Sequence, residues 1–275
     1  MELRSHTGPV FLTYRDNDKI NAIVKEICNE TPYFSFVAPD GIEHKLWKTG
    51  TERGHQISEL FRKEVPCMYI ADGHHRAASA SRAKAQCMAR NPMHSGAEDY
   101  NFFLAVTFPA SELKILPYNR VVKDLNGLTA EAFLDKLAEK FTVEKTSDPA
   151  PEKSGTFRMY LGKQWYALAP KFDTASLGVI ERLDVSVLQD NVLAPLLGIG
   201  DPRTDKRIDF VGGIRGTGEL ERLVDGGKAE VAFSMYATTL DQLMDIADAG
   251  EIMPPKSTWF EPKLRDGLVV HNFKC

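Results

Sequence analysis

No window of this sequence approaches the ~20 consecutive apolar residues that a membrane-spanning helix needs. Its start, Met1-Glu2-Leu3-Arg4-Ser5-His6, lacks the apolar stretch that marks a signal peptide. Cysteine is scarce and dispersed. Cys28, Cys67, Cys87 and Cys275 form neither a C-x-x-C motif nor the dense framework of a small secreted domain. These absences predict a soluble cytoplasmic protein whose thiols are reduced and structural. Positive charge is not in excess either. A net charge of −4 gives no general attraction to nucleic acid or to an anionic membrane, so neither is an expected partner. No internal repeat is present.

What remains is an ordinary globular mixture, 43% hydrophobic and 26% charged, in 275 residues, enough for one large domain or two medium ones. Pro9 to Tyr14 reads as a buried strand, and Ile20, Ile23, Val24 and Ile27 share one helix face up to Cys28. Tyr33–Val37 and His44–Trp47 flank the turn Pro39-Asp40-Gly41 as a hairpin. A short helix is predicted over Ile57–Arg62, a strand over Met68–Ala71 and a helix over Ala77–Met88. Strands follow at Asn101–Phe108 and, interrupted by Pro117, at Leu113–Val122. A helix is expected from Thr129 through Phe141. The loop 146–155 precedes a hairpin of Thr156–Leu161 with Gln164–Leu168. Val185–Leu197, Glu219–Val224 and Leu240–Ala249 read as helices, Ile208–Gly212 and Val231–Tyr236 as strands. The tail from Met253 reads as irregular, ending in the strand-like Leu268-Val269-Val270. Strands and helices mix without strict alternation, so the expected class is mixed α/β, of the α+β kind.

One motif carries chemistry. Tyr69-Ile70-Ala71 runs into Asp72-Gly73 and then directly into a helix. The first backbone N–H groups of a helix have no intrahelical partner and sit at the positive end of its dipole, which makes them a ready anion site. Gly73 lets the backbone turn sharply and approach a phosphate closely. Asp72 is suited to be the N-cap, or a ligand to a phosphate-bound Mg²⁺. The first turn then holds His74, His75 and Arg76, where a cation is disfavoured by ~0.3–1 kcal/mol. That local conflict makes sense if an anion receives their donors. His75, Ser79 and Arg82 fall on one helical face. A metal site built from Asp72, His74 and His75 is an alternative, although His6, His44, His55, His94 and His271 are all isolated. A plain capped turn is another; it accounts for Asp72 and Gly73 but not for Arg76.

Tyr-Ile-Ala-Asp-Gly-His-His-Arg resembles the signature of a bacterial and archaeal family catalogued as domain of unknown function 1015, whose members resemble the ParB/sulfiredoxin superfamily. Further blocks resemble that family in order along the chain. They are Gly8 to Tyr14, Leu46-Trp47, Leu116 to Val122, Leu183-Asp184-Val185 and Met253 to Leu264. The resemblance implies a ParB/sulfiredoxin-like nucleotide-binding part over residues 1–115 and a C-terminal α+β part over 116–275. Its characterised relatives sharing Asp-Gly-His-His-Arg are free-serine kinases that use ADP or ATP. Carried over, Gly73, His74, His75, Arg76 and Ser79 would hold nucleotide phosphates, while Asp72 and His75 would act at the reacting centre and Asp72 would bind Mg²⁺. The expected function is therefore a nucleotide-dependent kinase acting on a small hydroxyl compound such as free serine. A non-catalytic nucleotide or amino-acid sensor is the alternative. A DNA-binding ParB relative is a third reading, disfavoured by the acidic composition.

Family members are longer ahead of the block at Gly8, so this chain is expected to lack an N-terminal region. The kinases use an upstream glutamate as general base, for which Glu26, Glu30, Glu43, Glu52 and Glu59 are the candidates here. Lys256, Ser257 and Thr258, in a proline-pinned segment, and Asn119 with Arg120 are further candidates for holding a phosphate or substrate. The Gly-rich run Phe210 to Gly218 has neither a Gly-Lys-Ser/Thr ending nor a dinucleotide fingerprint. Oligomeric state is left open, including a homo-oligomer.

Overall fold

The computed structural model describes residues 3–275. The chain divides into two compact units, one of residues 1–113 with 262–275, the other of residues 114–261. It is a mixed α/β protein of the α+β class.

The first unit begins with β1 (Ser5–His6) and β2 (Val10–Tyr14), followed by α1 (Asp18–Cys28). The Asn17 side chain caps α1 by accepting from the backbone of Lys19 and Ile20. A hairpin of β3 (Phe34–Val37) and β4 (Glu43–Leu46) leads to α2 (Thr51–Glu64). The helix predicted over Ile57–Arg62 is thus more than twice as long as expected, 14 residues. Its first turns carry few apolar residues and none of its side chains is buried, so hydrophobic spacing could not mark its start. β5 (Tyr69–Asp72), α3 (His74–Arg90) and β6 (Ala105–Pro109) complete this part of the chain. β2 is the middle of a three-stranded sheet, antiparallel to β5 and parallel to β6. Its five residues are all buried, as expected for a strand of bulky apolar residues flanked on both edges.

The tail returns to this unit. A short strand, His271–Asn272, pairs antiparallel with β1, and Phe273 is buried with Cys87 and Tyr100. Cys87 and Cys275 form a disulfide between residues 188 apart. This corrects the expectation that all four thiols are reduced; Cys28 and Cys67 are free and exposed. Spacing along the chain could not reveal a pair that only the returning tail brings together. Leu268, Val269 and Val270, expected to be a strand, lie outside any strand and are exposed.

The second unit is built on a six-stranded sheet. Its elements begin with β7 (Lys114–Leu116), β8 (Tyr118–Val122), α4 (Ala130–Lys140), β9 (Phe141–Thr146) and β10 (Phe157–Leu161). Then come β11 (Gln164–Pro170), α5 (Asp184–Leu188), β12 (Ile208–Gly212), α6 (Gly218–Asp225), β13 (Val231–Met235), α7 (Leu240–Asp248) and β14 (Trp259–Glu261). The sheet order is β12-β8-β13-β10-β11-β9, every pairing antiparallel, while β7 pairs with β14 alone. Alternate residues face opposite sides. Val231, Phe233 and Met235 join the main core with Phe133, Leu137 and Leu188, whereas Ala232 joins Val121, Tyr160 and Leu220 on the other face. Both faces of β10 and β13 are buried, so neither strand alternates apolar with exposed polar residues, and Arg158 and Ser234 are buried along with their apolar neighbours. Strand β9 was not legible, because α4 gives way to it at Phe141, a residue that also continues the helical apolar face.

Candidate functional site

Three features of the sequence set the site. Buried Tyr69 anchors β5 beside β2, and a bulge between Phe11 and Leu12 re-aims the end of β5 so that Asp72 stands opposite Phe11. Gly73 then adopts φ +88°, the left-handed conformation that glycine takes without strain, and turns the chain into α3. The alanine-rich run behind favours the helix.

Gly73, not Asp72, is the N-cap of α3, and the N-terminus has no side-chain cap bond. Asp72 is the last residue of β5 and its Oδ1 accepts from the Gly73 N–H at 2.8 Å. The expectation of an Asp72 N-cap is corrected on this point, because the left-handed turn falls one residue later. The first turn of α3 holds no acidic residue. Its donors therefore lack the carboxylate that usually answers the dipole.

Arg76 folds back over this end of the helix. A Cβ on Gly73 would lie 2.9 Å from Arg76 Nε. The guanidinium stands 3.6 Å from Asp72 Oδ2 and 3.7 Å from Asp266 Oδ1. Gly8 permits this close approach, since a Cβ there would meet Asp266 Oδ1 at 2.6 Å and Arg76 Nη1 at 3.1 Å. His74 and His75 are exposed, their rings 5.4 Å apart and tilted. Ser79 Oγ accepts from Arg82 Nη2 at 2.9 Å.

Within the first unit a cavity of about 760 Å³ opens against this helix face. His75, Arg76 and Ser79 line it together with Arg4, His6 and Asp266; Phe103, Leu104 and Phe273 supply apolar surface. Asp72, Gly73 and His74 stand next to these residues without lining the cavity. Burial, then the neighbouring His271, holds the His6 imidazole below its ordinary pKa. Its Nδ1 is buried without a hydrogen-bond partner. Sequence reasoning missed Asp266, His6 and the aromatic lining, which come from segments distant in the chain. The one available signal was Gly8, which opens a recognised block.

Among the described residues, no group of three or more His, Cys, Asp or Glu side chains gathers to hold a metal ion. The alternative in which Asp72, His74 and His75 make such a group is therefore not supported. None of Glu26, Glu30, Glu43, Glu52 or Glu59 lines the cavity. Glu30 pairs with Arg53 at 2.6 Å, Glu43 with Lys45 at 3.0 Å, and Glu59 with Arg62 and Lys63 at 2.8 and 3.0 Å.

The remaining candidates belong to the second unit. Asn119 Oδ1 accepts from the Met235 N–H at 3.0 Å inside the sheet. Arg120 is fully buried, and burial lowers its pKa to about 10. Its guanidinium donates to the carbonyl oxygens of Tyr118 and Lys256 and lies over the Phe210 ring. Lys256 adopts φ 56° and stands over the Tyr118 ring at 5.4 Å. Ser257 Oγ donates to Pro254 at 2.6 Å, and its carbonyl accepts from Thr238 at 3.2 Å. Arg120, Lys256 and Ser257 thus form one cluster. Thr258, partly buried, follows them into β14.

No helix among the described residues is long and apolar enough to cross a membrane. A family profile described as "Protein of unknown function (DUF1015)" matches residues 1–186. No curated protein matches the chain in sequence. Similar solved structures include a free serine kinase (E30A mutant) in complex with AMP, 16% identical, with TM-score 0.40 over 98% of this chain and 93% of that one. The same kinase mutant in complex with ADP is 17% identical, with TM-score 0.40 over 98% and 95%. A conserved hypothetical protein from Pyrococcus furiosus is 16% identical, with TM-score 0.38 over 94% and 90%.

Proposed function

The chain belongs to the DUF1015 family of proteins of unknown function, and from that premise we propose that it binds the phosphates of ADP or ATP at the start of α3. We propose further that it transfers a phosphoryl group to a small hydroxyl compound, of which free serine is the leading candidate. The observation that carries this reading is the concentration of donors on one cavity wall. His75, Arg76 and Ser79 line it beside a helix N-terminus with no acidic residue in its first turn. Phosphoryl transfer asks chiefly for positioning and charge neutralisation. The guanidinium of Arg76 offers a planar fork suited to two phosphate oxygens, and His75 and Ser79 add donors. Mg²⁺ bound with nucleotide phosphates needs one or two protein carboxylates, and exposed Asp72 beside Arg76 fits that requirement. Kinship of the first unit with the ParB/sulfiredoxin fold is part of the same proposal.

A second reading, a nucleotide or amino-acid sensor, is favoured by one observation: no glutamate of the expected base candidates lines the cavity. Turnover separates the two. Phosphorus NMR of the protein with Mg²⁺, ATP or ADP, and free serine is expected to show a phosphomonoester growing as the nucleotide loses a phosphate, and Arg76→Ala abolishes it. Tight binding with the nucleotide unchanged supports the sensor. Absence of nucleotide binding refutes the kinase and the nucleotide sensor alike.

A further inference from the structure

The segment 262–275 runs back along α3, from its first turn toward its C-terminal half. At one end Asp266 reaches Arg76; at the other, Phe273 packs on Ala83 and Cys87, and Cys275 is bonded to Cys87. Arg76 and Cys87 lie on the same helix, about 16 Å apart along its axis. One element therefore carries both the arginine of the cavity and the anchor of a segment that contributes to its wall.

The Asp266 carboxylate stands where an incoming anion would seek Arg76. Its Oδ1 is 3.7 Å from the guanidinium, and the missing Cβ of Gly8 leaves room for both groups. A carboxylate and a phosphate oxygen compete for the same guanidinium donors. Both Asp266 and Phe273 line the cavity, so the segment is part of its wall.

Besides the disulfide and the buried Phe273, short-range contacts tie the segment to the rest of its unit. Two residues, His271 and Asn272, pair with β1. The Gly267 N–H donates to Thr7 at 2.8 Å, the Phe273 N–H to Arg4 at 3.0 Å, and His271 Nε2 to the Asp99 carbonyl at 3.0 Å. Arg265 pairs with Asp40 at the surface. A two-residue strand is marginal on its own, and such segments open locally at low cost. The covalent link keeps the segment at high effective concentration beside α3.

We propose that the Cys87–Cys275 disulfide is a redox clamp that holds Asp266 on Arg76 and so lowers the affinity of the cavity for phosphate-bearing ligands. This inference rests on the anion-binding reading of the cavity. A dithiol reductant opens the clamp: the S–S bond breaks, and Cys87 and Cys275 each become a thiol. The reductant supplies the two electrons and two protons and closes to its own disulfide. The freed segment then leaves Arg76 more often, and a phosphate takes the place of the Asp266 carboxylate.

The test is titration calorimetry of the full chain with ADP, and separately with inorganic pyrophosphate, before and after reduction. Peptide mapping verifies the state of Cys87 and Cys275. Wild type, Cys275→Ser and Asp266→Asn are compared. Reduction is expected to tighten pyrophosphate and ADP binding of the wild type by up to about fivefold, the scale set by releasing an exposed ion pair. Cys275→Ser is expected to bind tightly with or without reductant. Asp266→Asn is expected to bind tightly in both redox states. Equal affinity of the oxidised and reduced wild type, weaker binding on reduction, or no gain in Asp266→Asn would each overturn the clamp while leaving the anion site standing. No binding of either probe to any form overturns the clamp and the proposed function together.

Discussion

Arg76 carries its charge at the end of a helix where the dipole opposes it, and the structure answers that charge with two carboxylates at 3.6 and 3.7 Å rather than with a close bidentate pair. Both carboxylates are more exposed than the arginine, so these ion pairs are weak holds that a phosphate can displace. A contrasting residue is Glu98, whose carboxylate accepts from the backbone N–H groups of Ser95 and Gly96 at 2.7 and 3.0 Å and from the Ser95 hydroxyl at 2.9 Å. These bonds, led by the Ser95 backbone, pull its pKa down to about 2. A carboxylate held low in the folded state contributes stability above its unfolded pKa, and that contribution is lost as pH falls through the folded value. Glu98→Gln is therefore expected to melt below wild type at pH 7. The gap should narrow steadily between about pH 4.5 and pH 2, followed by circular dichroism. A gap independent of pH would assign the effect to lost hydrogen bonds alone.

At the scale of elements, the unit β5–Gly73–α3 was the most legible part of the molecule. Apolar Tyr69-Ile70-Ala71, then Asp-Gly, then helix formers specify strand, turn and helix by local chemistry alone, and those elements are observed. The capping residue was misread because both Asp and Gly are acceptable caps, and only the backbone angle distinguishes them. Gly73→Ala is expected to cost about 1–2 kcal/mol, because an L side chain is strained at positive φ. It should also weaken nucleotide binding, since the new Cβ displaces the Arg76 guanidinium. Urea denaturation measures the first effect and calorimetry the second. Elements that escaped reading share a cause. α2 begins without apolar spacing, and β9 begins on a residue that also suits the preceding helix. The tail owes its structure to partners at the other end of its unit, Ser5, His6 and Cys87.

Across the whole molecule, two units with separate cores divide the recognised blocks between them. The first contributes a cavity of which the wall formed by His75, Arg76 and Ser79 of one helix was legible in sequence, whereas the lining by Arg4, His6, Phe103, Leu104, Asp266 and Phe273 was not. Contacts between segments so far apart leave no periodic trace in a single sequence, which is why Asp266 and the disulfide were found only in the fold. In the second unit, Arg120 shows how a residue can be recognised without its role being legible. It is buried and donates to two carbonyl oxygens, one of them that of Lys256. The central claim, that the start of α3 binds nucleotide phosphates, is tested most directly by thermal unfolding with Mg²⁺ and ADP or ATP, comparing wild type with Arg76→Ala under reducing conditions. Ligand at ~100 times its dissociation constant should add ~2.7 kcal/mol, a rise of a few degrees for a chain of this size. The account predicts that rise for wild type and its loss in Arg76→Ala; an unchanged melting temperature with every nucleotide, or an equal rise in the variant, would contradict it.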